Sequence, residues 1–336
     1  MTDCNVKYRD WLQEWLVRIR GGVKESTWAN YSVAVMNHIL PALGEYTLEE
    51  LTEEKLQETV FFWLRQGRLD GSGGLSGKTV KDLANVVKGS LRAARRYYHL
   101  PPQDISLRCP GTALPRMDVL TASEQKRLVC AALSEGNCRS AGILISLYTG
   151  LRIGELCALQ WKDIDLKGRI VHVRKTVQRI FYKEWTGAAK SSVVITAPKT
   201  RSAARDVPLA SFLVPLLREL HCSDPETYVL SGDRKCLEPK TYRTFYKRFL
   251  ERNNLPMLRF HGLRHTCATL CIEDGADCKT VSALLGHASV NLTLSLYVHP
   301  QIEQKRKCIE RLPVYESPVS YTHLSSGSAP SRPARP

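Results

Sequence analysis

Four side chains near the C-terminal end of the chain, and one far upstream, have types and spacings suited to attack on a phosphodiester. His261-Gly-Leu-Arg264, Leu285-Gly-His287 and Tyr297 follow one another within a few helical turns, and Arg152 stands in Thr149-Gly-Leu-Arg-Ile-Gly-Glu-Leu156. A phosphodiester gains negative charge as a nucleophile adds, so an enzyme working without Mg²⁺ must place side-chain cations where that charge develops. Arginine suits the task because its planar fork makes two parallel bonds to phosphate oxygens and stays protonated at physiological pH. His261 and Arg264 are three apart and project from one face if their segment is helical. The apolar run Thr266-Cys-Ala-Thr-Leu-Cys-Ile272 can bury the opposite face. Taken alone, a His-x-x-Arg pair is more readily an ordinary surface pair; Arg152 and Tyr297 are what favour the chemical reading.

The nucleophile this set offers is a phenol. With a pKa near ~10 it is only about 0.1% ionised at neutral pH, and full deprotonation costs roughly 4 kcal/mol. Two arginines and nearby protonated groups can recover that by stabilising phenolate and phosphorane together. Thirteen tyrosines are available. The expelled alcohol is a poor leaving group unless a general acid protonates it. Lys199 lies between two strand-like flanks, 193–195 and 206–209, so a lysine at the turn of a hairpin is expected there. Lys190 and Lys175 are weaker candidates for the same role, and an ordinary solvated turn lysine is the plain alternative. Glu155, three residues after Arg152, can pair with it on a helix and hold its guanidinium in register.

On these motifs the chain resembles the tyrosine recombinases, the phage-integrase family of DNA-joining enzymes. The resemblance covers roughly residues 5–312 and is strongest in the second half, where five of the six candidate positions fall in tight motif context. It selects Tyr297 among the tyrosines: ten residues after His287, in Leu294-Ser-Leu-Tyr-Val-His299, it matches the family's nucleophile box. Tyr321-Thr-His-Leu324 imitates that box, but in a Ser/Pro/Arg tail without helical periodicity. The resemblance implies that His287 touches a non-bridging phosphate oxygen and helps manage the tyrosine proton. Read from the residues alone, a histidine after Gly286 at a helix C-terminus is equally well explained by the last carbonyls. Family members carry their acid lysine in a similar Pro-Lys-Thr hairpin, which is where Lys199 stands, and His265 takes a supporting role.

The activity so implied is site-specific cleavage and rejoining of double-stranded DNA through a 3′-phosphotyrosine. It would be carried out by a tetramer on DNA, without metal or other cofactor, for integration or excision of a phage or other mobile element. Accessory directionality or DNA-bending proteins are further partners of this class. A non-catalytic DNA-binding relative would have lost one or more of Arg152, Lys199, His261, Arg264, His287 and Tyr297, and all six are present. A nicking-closing topoisomerase fits the Thr-Gly-Leu-Arg and Leu-Gly-His wording less well. A chromosome-dimer-resolving recombinase carries the same residues and remains the alternative.

Two domains must position these groups, and 336 residues are enough for both. Tyr8, Trp11, Trp15 and Leu16 recur at helical spacing. A second helix from Thr27 is expected to end before Pro41, a third to start at a Thr52 cap, and a fourth to run from about Lys78 to Tyr98. Residues 1–105 thus read as mainly α, and the resemblance makes them the core-binding domain; 106–117 read as a linker, and 118–313 as an α+β domain with a small antiparallel sheet that the resemblance makes catalytic. Thr121-Ala-Ser-Glu124 is a capping box that opens the second domain. Residues 314–336 have no core-forming pattern and read as a disordered tail. The chain starts almost directly at the core-binding helices, so the small arm-binding module of many integrases is expected to be missing.

Lys and Arg total 48 against 33 Asp and Glu, a net charge of +15 spread along the chain, which fits a groove that tracks a phosphate backbone and does not by itself separate DNA from RNA or an acidic membrane. No stretch reaches the ~18 apolar residues that span a bilayer, and the N-terminus lacks a signal pattern, so a cytoplasmic protein is expected. Eleven scattered cysteines, with Cys267 and Cys271 at helical spacing, lack the second close pair of a zinc site.

Overall fold

The computed structural model describes residues 5–111, 118–186, 189–198, 201–297, 306, 309 and 310, with the backbone alone for 201, 292 and 295–297. Helices α1 (Tyr8–Ile19), α2 (Glu25–Ala34), α3 (Leu40–Leu43), α4 (Glu53–Gln66) and α5 (Gly77–Tyr97) come first. The periodic residues of α1 do what their spacing requires: Tyr8, Trp11, Trp15 and Leu16 are buried, packed with Leu56, Val60, Trp63, Leu83 and Leu91 from α4 and α5. Each such side chain taken out of water contributes about 1.5–3 kcal/mol. The Trp11 indole N–H donates to the Ser90 carbonyl at 2.9 Å, so the buried ring leaves no orphan donor. Thr52 caps α4 by accepting from the Lys55 amide.

Pro41 behaves differently from the expectation. The helical path does not stop before it but passes through a π-helical turn, Val35–Ile39, into α3, where Pro41 occupies the first turn. Proline returns no N–H to the preceding turn, and the π-helical turn widens the path there so that its ring fits. The aromatic end of α5 is a packing device: Tyr97 stacks on Trp11 at 5.5 Å, and the Arg18 guanidinium lies 4.2 Å over the Tyr97 ring.

The second half comprises α6 (Ala122–Glu135), α7 (Cys138–Thr149), α8 (Ile153–Cys157), strands β1 (Ile164–Asp165), β2 (Ile170–Val173), β3 (Thr176–Lys183), β4 (Ala189–Thr196) and β5 (Arg205–Pro208). Helices α9 (Leu213–Leu220), α10 (Pro239–Arg252), α11 (Phe260–Glu273), α12 (Cys278–Leu285) and α13 (Val290–Tyr297) follow. The capping box expected at Thr121 and Glu124 opens α6. A single core gathers Leu144, Leu156, Val171, Val207, Phe249 and Leu263 from these elements.

The strands form two antiparallel sheets, and their pairing corrects the expected hairpin. β4 pairs along its length with β3, Val193 opposite Arg179, whereas β5 pairs with β2, Val207 opposite Val171, in the order β1-β2-β5. The flanks of Lys199 therefore belong to different sheets. Local alternation marks a strand but not its partner, and the eight-pair β3–β4 ladder outcompetes a pairing of β4 with the shorter β5. Lys199 itself lies outside the described residues.

The β3–β4 hairpin also ties the two halves together. Ile180 is buried with Trp28 and Ala29 of α2, Tyr182 faces Trp28 at 5.6 Å, and the Lys183 amide donates to the buried Ser32 hydroxyl at 3.2 Å. Among the described residues no helix is long and apolar enough to cross a membrane.

Candidate active site

Three arginines from three elements converge on the end of α12. The helix stops because Gly286 adopts φ +66°, and a Cβ there would come within 3.0 Å of the Ser202 carbonyl. The last carbonyls, left without helical partners, are met one by one. Arg205 Nε donates to Leu284 O at 2.7 Å, Arg264 Nη2 to Leu285 O at 2.7 Å, and Arg152 Nη2 to Gly286 O at 3.3 Å. The negative end of the helix dipole suits all three cations. The turn so gripped delivers His287, whose amide donates back to Ser282 O at 3.0 Å.

Arg264 lies in α11 and is 1% exposed. Its Nη1 donates to the Gly150 carbonyl at 2.7 Å, so its guanidinium spans the C-terminal ends of α7 and α12. Each terminal nitrogen carries two N–H groups, and each of these bonds uses one. Gly150 has φ +64°, and a Cβ there would lie 2.5 Å from a Leu285 methyl, which explains the glycine of Thr149-Gly-Leu-Arg.

Arg152 caps α8 and, with a side chain 38% exposed, is far more open than Arg264. Glu155 grips it as its spacing suggests. Arg152 Nη1 donates to one carboxylate oxygen at 2.8 Å and the Arg152 amide to the other at 3.0 Å. Arg205 Nη2 reaches that second oxygen at 3.0 Å. Burial alone would raise the Glu155 pKa, but the Arg205 charge and hydrogen bond, helped by Arg152, outweigh it and hold the carboxyl below its ordinary value.

His261 sits on the open side of the first turn of α11, its ring 4.6 Å from that of His265 and nearly perpendicular to it. Partial burial, then the charges of His265, Arg264 and Arg152, push its pKa down to about 4. His287 is lowered to about 4 by burial first, then by Arg264, Arg152, Arg205 and His261. Burial first and the neighbouring charges second thus favour the neutral imidazole at both positions. His287 Nδ1 shares a hydrogen bond of 2.9 Å with the buried Thr293 hydroxyl of α13.

Arg152, His261, Arg264 and His287 are therefore brought together. Tyr297 is the last residue of α13, one helical turn after Thr293, and its side chain lies outside the described atoms. The alternative lysines are engaged elsewhere: Lys190 pairs with Glu184 at 2.6 Å on the far part of the hairpin, and Lys175 donates to Gln160 at 3.1 Å. Sequence reasoning missed Arg205. Its one signal is an arginine at an inward position of a short alternating strand. Among the described residues no cluster of three or more His, Cys, Asp or Glu could hold a metal ion.

Residues 118–304 match the phage integrase family, and residues 7–64 match the N-terminal SAM-like domain of phage integrases. The chain is 30% identical over 260 residues to a XerC-like tyrosine recombinase of Caldanaerobacter subterraneus subsp. tengcongensis, covering 71% of this chain and 66% of that protein. It is 28% identical over 180 residues to the ICEBs1 integrase of Bacillus subtilis, covering 50% and 46%. The matches thus span about half to two thirds of these relatives' lengths. In fold the chain is similar to the Tn1549 transposon integrase in complex with a circular intermediate DNA, at TM-score 0.71 and 21% identity, covering 91% of this chain and 99% of that one. It is also similar to a lambda integrase tetramer bound to a Holliday junction, at TM-score 0.61 and 21% identity, covering 90% and 81%.

Proposed function

The chain belongs to the phage integrase family, and from that premise we propose that it is a site-specific tyrosine recombinase acting on double-stranded DNA. The observation that carries this reading is the convergence of Arg152, Arg264, His261 and His287 around the end of α12, beside the helix that ends in Tyr297. In this mechanism Arg152 and Arg264 hold the non-bridging oxygens of the scissile phosphate, and the neutral His261 and His287 manage protons around it. The Tyr297 oxygen forms a bond to phosphorus and passes its proton to the neutral imidazole of His287. The bond from phosphorus to the 5′-oxygen breaks, and that oxygen takes a proton from Lys199. The 3′-phosphotyrosine conserves the phosphodiester energy, so attack by a partner's 5′-hydroxyl rejoins strands without consuming ATP.

In the same reading residues 1–105 lie on one face of the duplex, 106–117 connect, and 118–313 cut and rejoin. Four subunits pair two sites, as the lambda integrase tetramer on its junction suggests for the shared fold. The biological task is integration or excision of a mobile element, in line with the ICEBs1 and Tn1549 integrases among the similar proteins. Accessory directionality or DNA-bending proteins would act on that assembly.

The test is a denaturing gel of the protein with a nicked suicide duplex carrying its site. Wild type should give a covalent protein–DNA band and Tyr297→Phe none, with site binding retained. A covalent band from Tyr297→Phe that is lost in Tyr321→Phe would overturn the nucleophile assignment.

A further inference from the structure

Arg205 has no step in the reaction above, yet it is tied into the site on three sides. It is 8% exposed on β5, and its guanidinium bonds to three elements or segments. Nη2 donates to Glu155 Oε2 at 3.0 Å, Nε to Leu284 O at 2.7 Å, and Nη1 to Ala203 O at 3.1 Å. The Glu155 side chain is itself 3% exposed. A buried cation of this kind is tolerated only when paired and hydrogen-bonded, and the three acceptors take one N–H from each nitrogen of the fork, one of them the Glu155 carboxylate. The fork also packs beneath the turn that follows α12, since a Cβ on Gly286 would come within 3.1 Å of both its Cδ and its Nη1.

We propose that Arg205 is a positioning residue of the catalytic centre, acting on Arg152 through Glu155 and on His287 through the carbonyl of Leu284. This rests on the recombinase reading of the site. With Nε, Nη1 and Nη2 each donating to a protein acceptor, Arg205 is assigned no contact with substrate. Its effect runs through geometry on two sides of the phosphate position at once. One Glu155 oxygen holds the Arg152 guanidinium while the other is shared between the Arg152 amide and Arg205, so movement of Arg205 is transmitted to the N-cap of α8. The Leu284 bond fixes the carbonyl three residues before His287. A lysine could keep the charge, but one ammonium cannot meet three acceptors spread around a planar fork.

The experiment uses the full chain with Arg205→Gln and Arg205→Lys. Covalent-complex formation on the suicide duplex is followed against DNA concentration and pH, and His287 is titrated by NMR in the absence of DNA. Arg205→Gln should slow the saturating rate by about 10- to 100-fold, the loss typical of an outer-shell partner, with the half-saturating DNA concentration little changed. Its acid limb should move to higher pH. Glu155 then faces burial with only Arg152 opposite it, so its carboxyl protonates sooner as pH falls. The His287 midpoint should rise, because Arg264, Arg152 and His261 remain against it but the Arg205 charge is gone. Arg205→Lys should keep the His287 midpoint near that of wild type while the saturating rate still falls.

A wild-type saturating rate in Arg205→Lys, or a loss in Arg205→Gln that appears wholly as weaker DNA binding, would overturn the proposal. Should Arg205→Gln fail to fold, Arg205→Lys decides by its rate. Absence of a covalent complex from wild type would sink the recombinase reading. The His287 midpoint would then still decide the role of Arg205, an unchanged value in Arg205→Gln refuting it.

Discussion

His287 and Thr293 share a hydrogen bond of 2.9 Å that joins the turn after α12 to the helix that ends in Tyr297. The Thr293 side chain is fully buried, so this bond is sheltered from competing water. It makes the imidazole and the first turn of the helix that ends in Tyr297 one mechanical unit.

Thr293→Val should therefore act on the cleavage step more than on folding. Loss of one buried hydrogen bond costs about 1 kcal/mol of stability, but an imidazole that loses its orienting partner typically costs about tenfold or more in rate. Single-turnover formation of the covalent complex and thermal unfolding of the same sample separate the two effects. A variant with lowered melting temperature and wild-type cleavage would show the bond to be structural only.

The two arginines should respond unequally to lysine. Arg152→Lys keeps a cation at an open position but loses the forked grip, and cleavage should fall on the order of 10²-fold with little change in stability. Arg264→Lys also abandons two buried carbonyls, those of Gly150 and Leu285, so it should lose as much rate and about 1–3 kcal/mol of stability besides. Chemical denaturation of both variants checks this. Equal stabilities would mean that the carbonyl bonds of Arg264 contribute little.

The depressed histidines set a direction for pH. His261 and His287 titrate at about 4 in the folded chain, below the ordinary value of about 6.5, so the unfolded chain binds more protons between those values. Their contribution to stability is complete above about pH 6.5 and falls as pH drops towards 4. The melting temperature without DNA should decline over that window, less steeply in His287→Gln. A bound phosphate opposes the cations that depress these imidazoles, so DNA binding near pH 5.5 should take up protons. Calorimetry in buffers of different ionisation enthalpy measures the uptake, and proton release would contradict the argument.

Lys199→Ala should slow cleavage of ordinary DNA and spare a 5′-bridging phosphorothiolate, whose thiolate leaves without a proton. Cleavage assays on the paired substrates read this directly. If the sulfur substrate gives no rescue, the general acid is another group, and Lys190 and Lys175 are tested next.

Much of this architecture can be read from local pattern. Tyr8, Trp11, Trp15 and Leu16 announce a buried helical face, and Thr121 with Glu124 announces a helix start, because both signals are complete within a few residues. Arg152, Glu155, His261, Arg264 and His287 are legible by type and spacing, but their geometry is not. That Arg264 sits buried between two helix ends depends on Gly150 and Leu285 arriving from far along the chain. Arg205 stayed hidden for the same reason, since its partners lie on α8 and α12. Strand pairing failed because 193–195 and 206–209 each mark a strand while neither names its partner. Pro41 misled because the π turn before it leaves no mark in hydrophobic periodicity.

That β4 and β5, consecutive in the chain, belong to different sheets turns domain orientation into a length for the segment that connects them. One end of that segment starts from the β3–β4 hairpin, which the N-terminal helices hold through Trp28 and Ser32. The other end enters β5, rooted by Val207 in the second core. Rotation of the helical module would carry the first anchor with it and leave the second in place. The span the segment must bridge is thus a readout of how the two modules are disposed, and residues added to or removed from it would recalibrate that readout without touching either core.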